Sequence, residues 1–494
     1  MKFHEYRQHD GLGLAQLVAA GEVTASELLE LALARTEAVN PSINAVIIPM
    51  EEIARQRVGA SLDGPFAGVP FLLKNLEQNF AGVTTSNGCQ GIKDKGILAT
   101  RHAEITQRWL NAGVVIFGQT NTPEFGLAPI TEPLAWGPTR NPWDLARSPG
   151  GSSGGSAAAI AAGIVPMAGG NDVGGSIRIP SAVCGLFGFK PGRGRTPSGP
   201  ERGEMVHGAA IHHVLTRSVR DSAAMLDASH GKELAAAFHI APPERPYLEE
   251  VVRPPERMRI AYGARSPLGT EVSPEAVLAV DNAAKLLESL GHFVEPAEPP
   301  IDWAQMFEDV LAMLYANTAV LVARTRQLTG CGNDGFEPDT LLMAGFGRVI
   351  RADDYAASLA RWQDYQRIMN EFHLAYDVYM TPTVALPPPL IGEHATPVHE
   401  QKIVPLLQAL GLSRTLLKSP RLQEKVHSTL KHVPFTELAN LTGAPAMSVP
   451  LHWTPEGLPL GVHFMAGPSN EGLLFRLAGQ LEQAQPWFAR VPRL

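Results

Sequence analysis

Ser148-Pro-Gly-Gly-Ser-Ser-Gly-Gly-Ser156, followed by Gly170-Asn-Asp-Val-Gly-Gly-Ser-Ile-Arg178, sets two clusters of small, hydroxyl-bearing residues around an alanine-rich run. Each ordered glycine costs extra backbone entropy, so a chain that orders this many needs backbone N–H groups close to something. A flexible linker would not feed directly into a helical run such as Ser156–Ala162. A phosphate loop needs G-x-x-x-x-G-K-[ST], but the only Gly-Lys pair, Gly231-Lys232, is followed by Glu233. Gly151-Ser-Ser153-Gly-Gly155 fits the G-x-S-x-G elbow, yet Leu145–Gly150 does not read as the strand that must precede it. Ser229-x-x-Lys232 and Ser428-x-x-Lys431 fit S-x-x-K without the accompanying S-D-N.

Both clusters together fit another chemistry. Ser176 follows Val173-Gly174-Gly175, and consecutive N–H groups on unhindered glycines can converge on one oxygen as an oxyanion hole. A serine there is a candidate nucleophile and needs a base. No histidine is placed locally for that job. Lys74 is the candidate: a lone charge just after the apolar run Val69-Pro-Phe-Leu-Leu73, where burial would depress its pKa. His207, His212 and His213 are the densest histidine cluster, but there is no H-E-x-x-H, and adjacent His212 and His213 would point apart on a strand. No metal site is expected.

Composition sets the outer limits. With 494 residues, 45% hydrophobic and 18% charged, the chain reads as an ordinary globular protein. A net charge of -8 argues against nucleic acid held on a basic face. Cys89, Cys184 and Cys331 form no metal-like pair and fit a reducing compartment. The N-terminus is polar and has no apolar signal core. The longest small-apolar run, around Ala157–Gly169, is too short to span a bilayer. A soluble, cytoplasmic protein without a membrane partner is expected.

Thr24-Ala-Ser-Glu27 is a capping box opening a helix from Leu28 to about Val39, with Asn40-Pro41 as its stop. Ala45–Ile48 and Val69–Leu73 read as buried strands, and a helix around Ala103–Ala112 leads into a strand at Val114–Phe117. Prolines 242, 243, 246, 254 and 255 mark a surface connection. Beyond it Arg259–Tyr262, Phe293–Val294, Tyr379–Met380, Met447–Leu451 and Val462–Met465 read as strands between helices. This alternation predicts an α/β architecture in one large domain. The Pro-, His- and Lys-rich stretch Pro387–His432 reads as either a lid or a long surface excursion.

These blocks resemble the amidase signature family. Gly150–Ser156 with Gly170–Pro180 is similar to its signature, and Gly68-Val-Pro-Phe-Leu-Leu-Lys74-Asn75 to its lysine segment. Gly118–Glu124, Thr139–Trp143, Tyr376–Thr383, Leu441–Ala446 and Gly457–Gly461 fit its remaining blocks, so nearly the whole chain is covered. The resemblance implies a large mixed, twisted β-sheet flanked by many helices. It implies a single domain over 1–494, with a signature core of about 64–230 and pocket-forming insertions at about 300–435. It implies a cofactor-independent Ser–cis-Ser–Lys triad. Ser176 is then the nucleophile, Ser152 the bridging serine after a cis Gly151–Ser152 peptide, and Lys74 the base. The amides of Val173, Gly174, Gly175 and Ser176 would receive the oxyanion, and Ser153, Asp172 and Arg178 would support the site.

Thr131–Trp143 and Gly170-Asn-Asp172 look most like the branch that hydrolyses nylon oligomers, with Asn171 where the family more usually has threonine or serine. The chain departs from that branch in having no cysteine between Ile301 and Gly330, although Cys331 follows. The implied substrate is a small or medium amide, an oligoamide, an aryl amide or a carbamate. Trp136, Gly151 and Thr131 are candidate pocket residues. The alternative is the glutaminase component of a tRNA-dependent amidotransferase, whose tyrosine-rich continuation is missing after Lys190–Gly199. A homodimer is what the family suggests.

Overall fold

The computed structural model describes residues 1–396, 411, 413–417, 419 and 428–494. Its frame is one sheet of eleven strands. In chain order they are β1 (Val46–Pro49), β2 (Pro70–Lys74), β3 (Val115–Thr120), β4 (Met167–Asp172), β5 (Phe187–Lys190) and β6 (Ile211–Thr216). There follow β7 (Arg259–Tyr262), β8 (Phe293–Pro296), β9 (Val378–Pro382), β10 (Ala446–Trp453) and β11 (Pro459–Ala466). The spatial order is β1-β3-β2-β4-β6-β5-β10-β11-β9-β7-β8. β3, β2 and β4 are parallel neighbours, as are β9, β7 and β8. Antiparallel pairs join the two groups through the middle.

β2 shows how the apolar pattern becomes two packed layers. Side chains alternate across a strand. Phe71 and Leu73 enter a core with Phe66 and Trp109, while Leu72 faces the other way, onto Ala157, Ala158 and Ile160. Both faces are covered, so the strand reads as an unbroken apolar run. Its C-terminal residue, Lys74, is thereby carried into the interior with no exposed surface.

The alanine-rich run forms the helix Gly154–Ala161, every residue of which is buried. Small side chains let this helix sit directly against the sheet. A Cβ at Gly155 would lie 2.4 Å from the Asn121 backbone nitrogen, so only glycine tolerates that approach. The helix thus pins the end of the Gly/Ser segment against β3 and β4.

Three local features differ from the sequence reading. The capping-box helix runs Ala25–Ile43, past the expected stop at Pro41. Pro41 lacks only its own N–H, and the Asn40 carbonyl still accepts the Asn44 N–H at 2.7 Å. β4, β5 and β6 carry Gly, Asn, Asp and His, which have little strand preference, and central placement in the sheet overrides this. The proline-marked connection contains a short helix, Tyr247–Val251, whose Tyr247 is buried in a core with Phe189, Ile260 and Phe475. Among the described residues, one helix, Trp303–Thr329, is long and apolar enough to cross a membrane. Here it buries Met306, Phe307, Val310 and Met313 against Trp362, Tyr365 and Met369.

Candidate active site

β2 and β4 deliver Lys74 and Asn171 to one point, and the Gly/Ser segment delivers Ser152 to the same point. Lys74 Nζ donates to Ser152 Oγ at 2.7 Å and to Asn171 Oδ1 at 2.6 Å. Asn171 Nδ2 is anchored on the Leu76 carbonyl at 3.0 Å. Burial pushes the Lys74 amine well below the ordinary lysine value, against the opposing pull of the Asp172 charge. The Gly151–Ser152 peptide is cis. Ser153 N–H donates to the Ser176 carbonyl at 3.3 Å, tying the two serine clusters together. Ser176 itself is part-exposed. Among the described residues its hydroxyl makes no hydrogen bond to Ser152.

Asp172 organises the 173–178 loop. Its carboxylate accepts N–H groups from Gly175 (2.8 Å), Ile177 (3.1 Å) and Arg178 (3.4 Å). It also pairs with the Arg178 guanidinium through Nε (3.0 Å) and Nη2 (2.9 Å). Burial alone would raise the Asp172 pKa, but Arg178 outweighs it and holds the carboxyl well below the usual range. Arg178 then reaches the Thr436 carbonyl, His463 Nε2 and Asn440 Oδ1, at 2.9, 2.9 and 2.7 Å. Gly175 has φ +125°, and a Cβ there would lie 2.3 Å from Thr436 Oγ1.

The Asp172–Arg178 pair has no exposed surface. Arg178→Ala would leave a buried carboxylate without its counter-charge and is expected to cost about 3–5 kcal/mol. Urea unfolding of the purified variant checks this; a loss below ~1 kcal/mol would mean that the pair does not hold the loop.

The amidase family matches residues 27–475. The chain is 38% identical to the 6-aminohexanoate-cyclic-dimer hydrolases of Pseudomonas sp. (strain NK87) and Paenarthrobacter ureafaciens, over 98% of its own length and 96% of theirs. The chain belongs to the amidase signature family. The solved structure of 6-aminohexanoate cyclic dimer hydrolase complexed with substrate matches this amidase with a TM-score of 0.90 at 36% identity, over 99% of both chains. A glutamyl-tRNA(Gln) amidotransferase component from Thermotoga maritima is more distant, at 0.72 and 25%, over 98% of this chain and 95% of that one. The amidotransferase reading is therefore not favoured. The protein is a hydrolase of carbon–nitrogen bonds in linear or cyclic amides.

A cavity of about 280 Å³ lies across residues 126–130 of the amidase from Ser152. Residues 126–130 separate the two: a Cβ at Gly126 would be 3.1 Å from Ser152 Oγ, and one at Gly151 would be 2.6 Å from the Ile130 carbonyl oxygen. The lining is mostly apolar, with Leu127, Leu314 and Phe346, and also carries Glu124, Glu132 and Glu337. A larger cavity of about 390 Å³, around Arg195, Lys232 and Phe238, shares no residue with the 126–130 segment; Lys74, Ser152 and Ser176 line neither cavity. The titratable chemistry, not volume, therefore marks the site.

Trp136 and Thr131, expected in the pocket, do not line the 280 Å³ cavity. Trp136 Nε1 donates to Ser86 Oγ at 3.0 Å, and Lys93 lies over its ring. Thr131 Oγ1 donates to the Gly150 carbonyl at 2.9 Å and packs beneath the Gly/Ser turn. Gly151 touches Ile130 through its backbone. Of the oxyanion candidates, Gly175 is corrected: its N–H is already given to Asp172.

The three histidines diverge. His207 pairs with Tyr355, His213 with Ser222, and His212 is held in β6, where burial and then Lys74 push it down to about 3. Part of the 387–432 stretch lies outside the described residues. Sequence reasoning missed Asn171 as a lysine partner, although it stands inside the quoted Gly170–Arg178 block. It also missed Asn440, His463 and Glu437, which no local pattern marks. Burial pushes Glu437, beside Gly174, up to about 8.

Proposed function

We propose that this amidase cleaves its amide through an acyl-enzyme on Ser176, with Ser152 relaying the proton and Lys74 as the base. One observation carries the reading: a fully buried lysine that hydrogen-bonds a serine hydroxyl at 2.7 Å, with its amine pushed towards neutrality. Ser176 Oγ attacks the carbonyl carbon while its proton passes to Ser152, whose own proton passes to Lys74. The developing oxyanion is received by the amides of Val173, Gly174 and Ser176, which donate to no protein acceptor among the described residues. The relay then returns a proton to the nitrogen, the C–N bond breaks and the amine leaves. Water follows the same route to release the acid. Catalytic contacts often tighten only with substrate bound. The part-exposed Ser176 hydroxyl completes the relay by rotating towards Ser152.

The substrate class proposed is a small or medium amide, oligoamide, aryl amide or carbamate, with its apolar part in the cavity beside Ile130. The relatives named for 6-aminohexanoate cyclic dimer support an oligoamide first. The proposal places the enzyme in the cytoplasm as a homodimer, without nucleic-acid or membrane partners, and its chemistry needs no cofactor or metal. The test is a hydrolysis panel on the isolated chain: aliphatic amides, anilides, cyclic oligoamides, carbamates and glutamine. Turnover of an oligoamide or anilide is expected without any added protein. Glutamine hydrolysis alone, appearing only with partner proteins, would overturn the reading.

A further inference from the structure

Glu393, His394 and His432 each bring a side-chain ligand atom to within 4.8 Å of the others. The two imidazole rings meet edge to face, centroids 5.1 Å apart. His432 is 8% exposed, and among the described residues neither ring nitrogen has a hydrogen-bond partner of ordinary geometry. A buried imidazole without a well-formed hydrogen bond is poorly compensated for its burial, and such groups call for a missing ligand. Its backbone is anchored, because the His432 carbonyl accepts the Ala385 N–H at 2.8 Å. The Pro387 carbonyl faces the ring, the type of acceptor that fixes the second nitrogen of a metal-bound histidine. Glu393 Oε2 accepts the Leu390 N–H at 2.9 Å, which orients the carboxylate.

We propose that Glu393, His394 and His432 form a binding site for one divalent transition-metal ion of the zinc type. Two imidazoles and a carboxylate suit tetrahedral Zn²⁺, with water as the fourth ligand, and not Mg²⁺ or Ca²⁺, which take oxygen. Bonds of about 2.1 Å place tetrahedral ligand atoms about 3.4 Å apart. The atoms now lie within 4.8 Å of one another, and ligation would draw them to that spacing by turning the exposed Glu393 and half-buried His394 side chains. The Lys431 charge acts on both histidines, so the Glu393 carboxylate is what makes the site favour a cation. His394 and His432 stand near opposite ends of the 387–432 stretch, and both line a small cavity with Gly150 and Ile179. His394 also lines the 280 Å³ cavity. The ion cross-links the two flanks at the rim of that cavity. This site stands independently of the catalytic reading.

The test is calorimetric titration of untagged, chelator-stripped, full-length protein with Zn²⁺ and, separately, Mg²⁺. One Zn²⁺ per chain is expected to bind and raise Tm, with no response to Mg²⁺. Glu393→Gln changes an exposed residue and His394→Gln a half-buried one; each is expected to weaken Zn²⁺ at least tenfold and to abolish the Tm shift, as is His432→Gln. His239→Gln, at an exposed histidine elsewhere, leaves both unchanged. Absence of stoichiometric Zn²⁺ binding overturns the proposal. So does binding that survives both Glu393→Gln and His394→Gln, which would mark adventitious surface histidines.

Discussion

Ser176→Ala is expected to lower amide turnover about 10⁴–10⁶-fold, the range seen when the nucleophile of a hydrolytic triad is removed. At 1.36 kcal/mol per decade, that is about 5–8 kcal/mol of transition-state stabilisation. The side chain is part-exposed and bonds no neighbour among the described residues, so the fold should be untouched and the loss should appear in kcat. Labelling by a serine-directed fluorophosphonate should vanish with it. Ser153→Ala is the internal control. Among the described residues its hydroxyl reaches only the Asn171 carbonyl, at 3.3 Å, and turnover within about tenfold of wild type is expected. Labelling that persisted in Ser176→Ala but vanished in Ser153→Ala would move the nucleophile to the lipase-like G-x-S-x-G position.

The catalytic candidates were legible because each stands inside a local pattern. Lys74 ends an apolar run, and both serine clusters are dense in glycine. What was not legible depends on contacts distant in sequence. Asn440 and His463 reach Arg178 only because β10 and β11 follow β5 in the sheet order, a pairing that no periodicity in the chain announces. The Gly175 amide looked free because the carboxylate that takes it, Asp172, is aimed by the tight turn after β4, a strand whose glycines hid it. Trp136 does not line the 280 Å³ cavity, although its neighbours Glu132 and Leu134 do. A large aromatic beside the signature suggested a wall, whereas Ser86 and Lys93 hold that ring elsewhere. Glu337 and Phe346, which do line the cavity, flank and belong to the helix Pro338–Gly347. Its position follows from packing on Trp303–Thr329 and not from its own sequence.

Lys74→Met separates the role of the amine from its cost. Loss of the base should lower kcat/KM about 10²–10⁴-fold. In wild type, kcat/KM should rise with pH through the lowered lysine pKa and then level, because only the neutral amine accepts a proton. The residual activity of the variant should lack that rise. Stability supplies a second, independent readout. The unfolded lysine holds its proton up to its ordinary value of 10.5, whereas the folded one releases it earlier. Between the two values the unfolded chain binds more protons, so this group makes stability rise with pH. That contribution is lost as pH falls through the window, and below the folded pKa it is flat, with a charged amine confined in the core. Methionine removes the charge and keeps the apolar stem. Relative to wild type, Lys74→Met should therefore be most stable at mildly acidic pH, with the advantage shrinking towards alkaline pH. Chemical denaturation of both proteins at several pH values measures the gap; Lys190, also buried and pushed down to about 7, is common to both and cancels. A gap independent of pH, together with near-normal turnover in the variant, would mean that Lys74 neither titrates in the fold nor serves as the base.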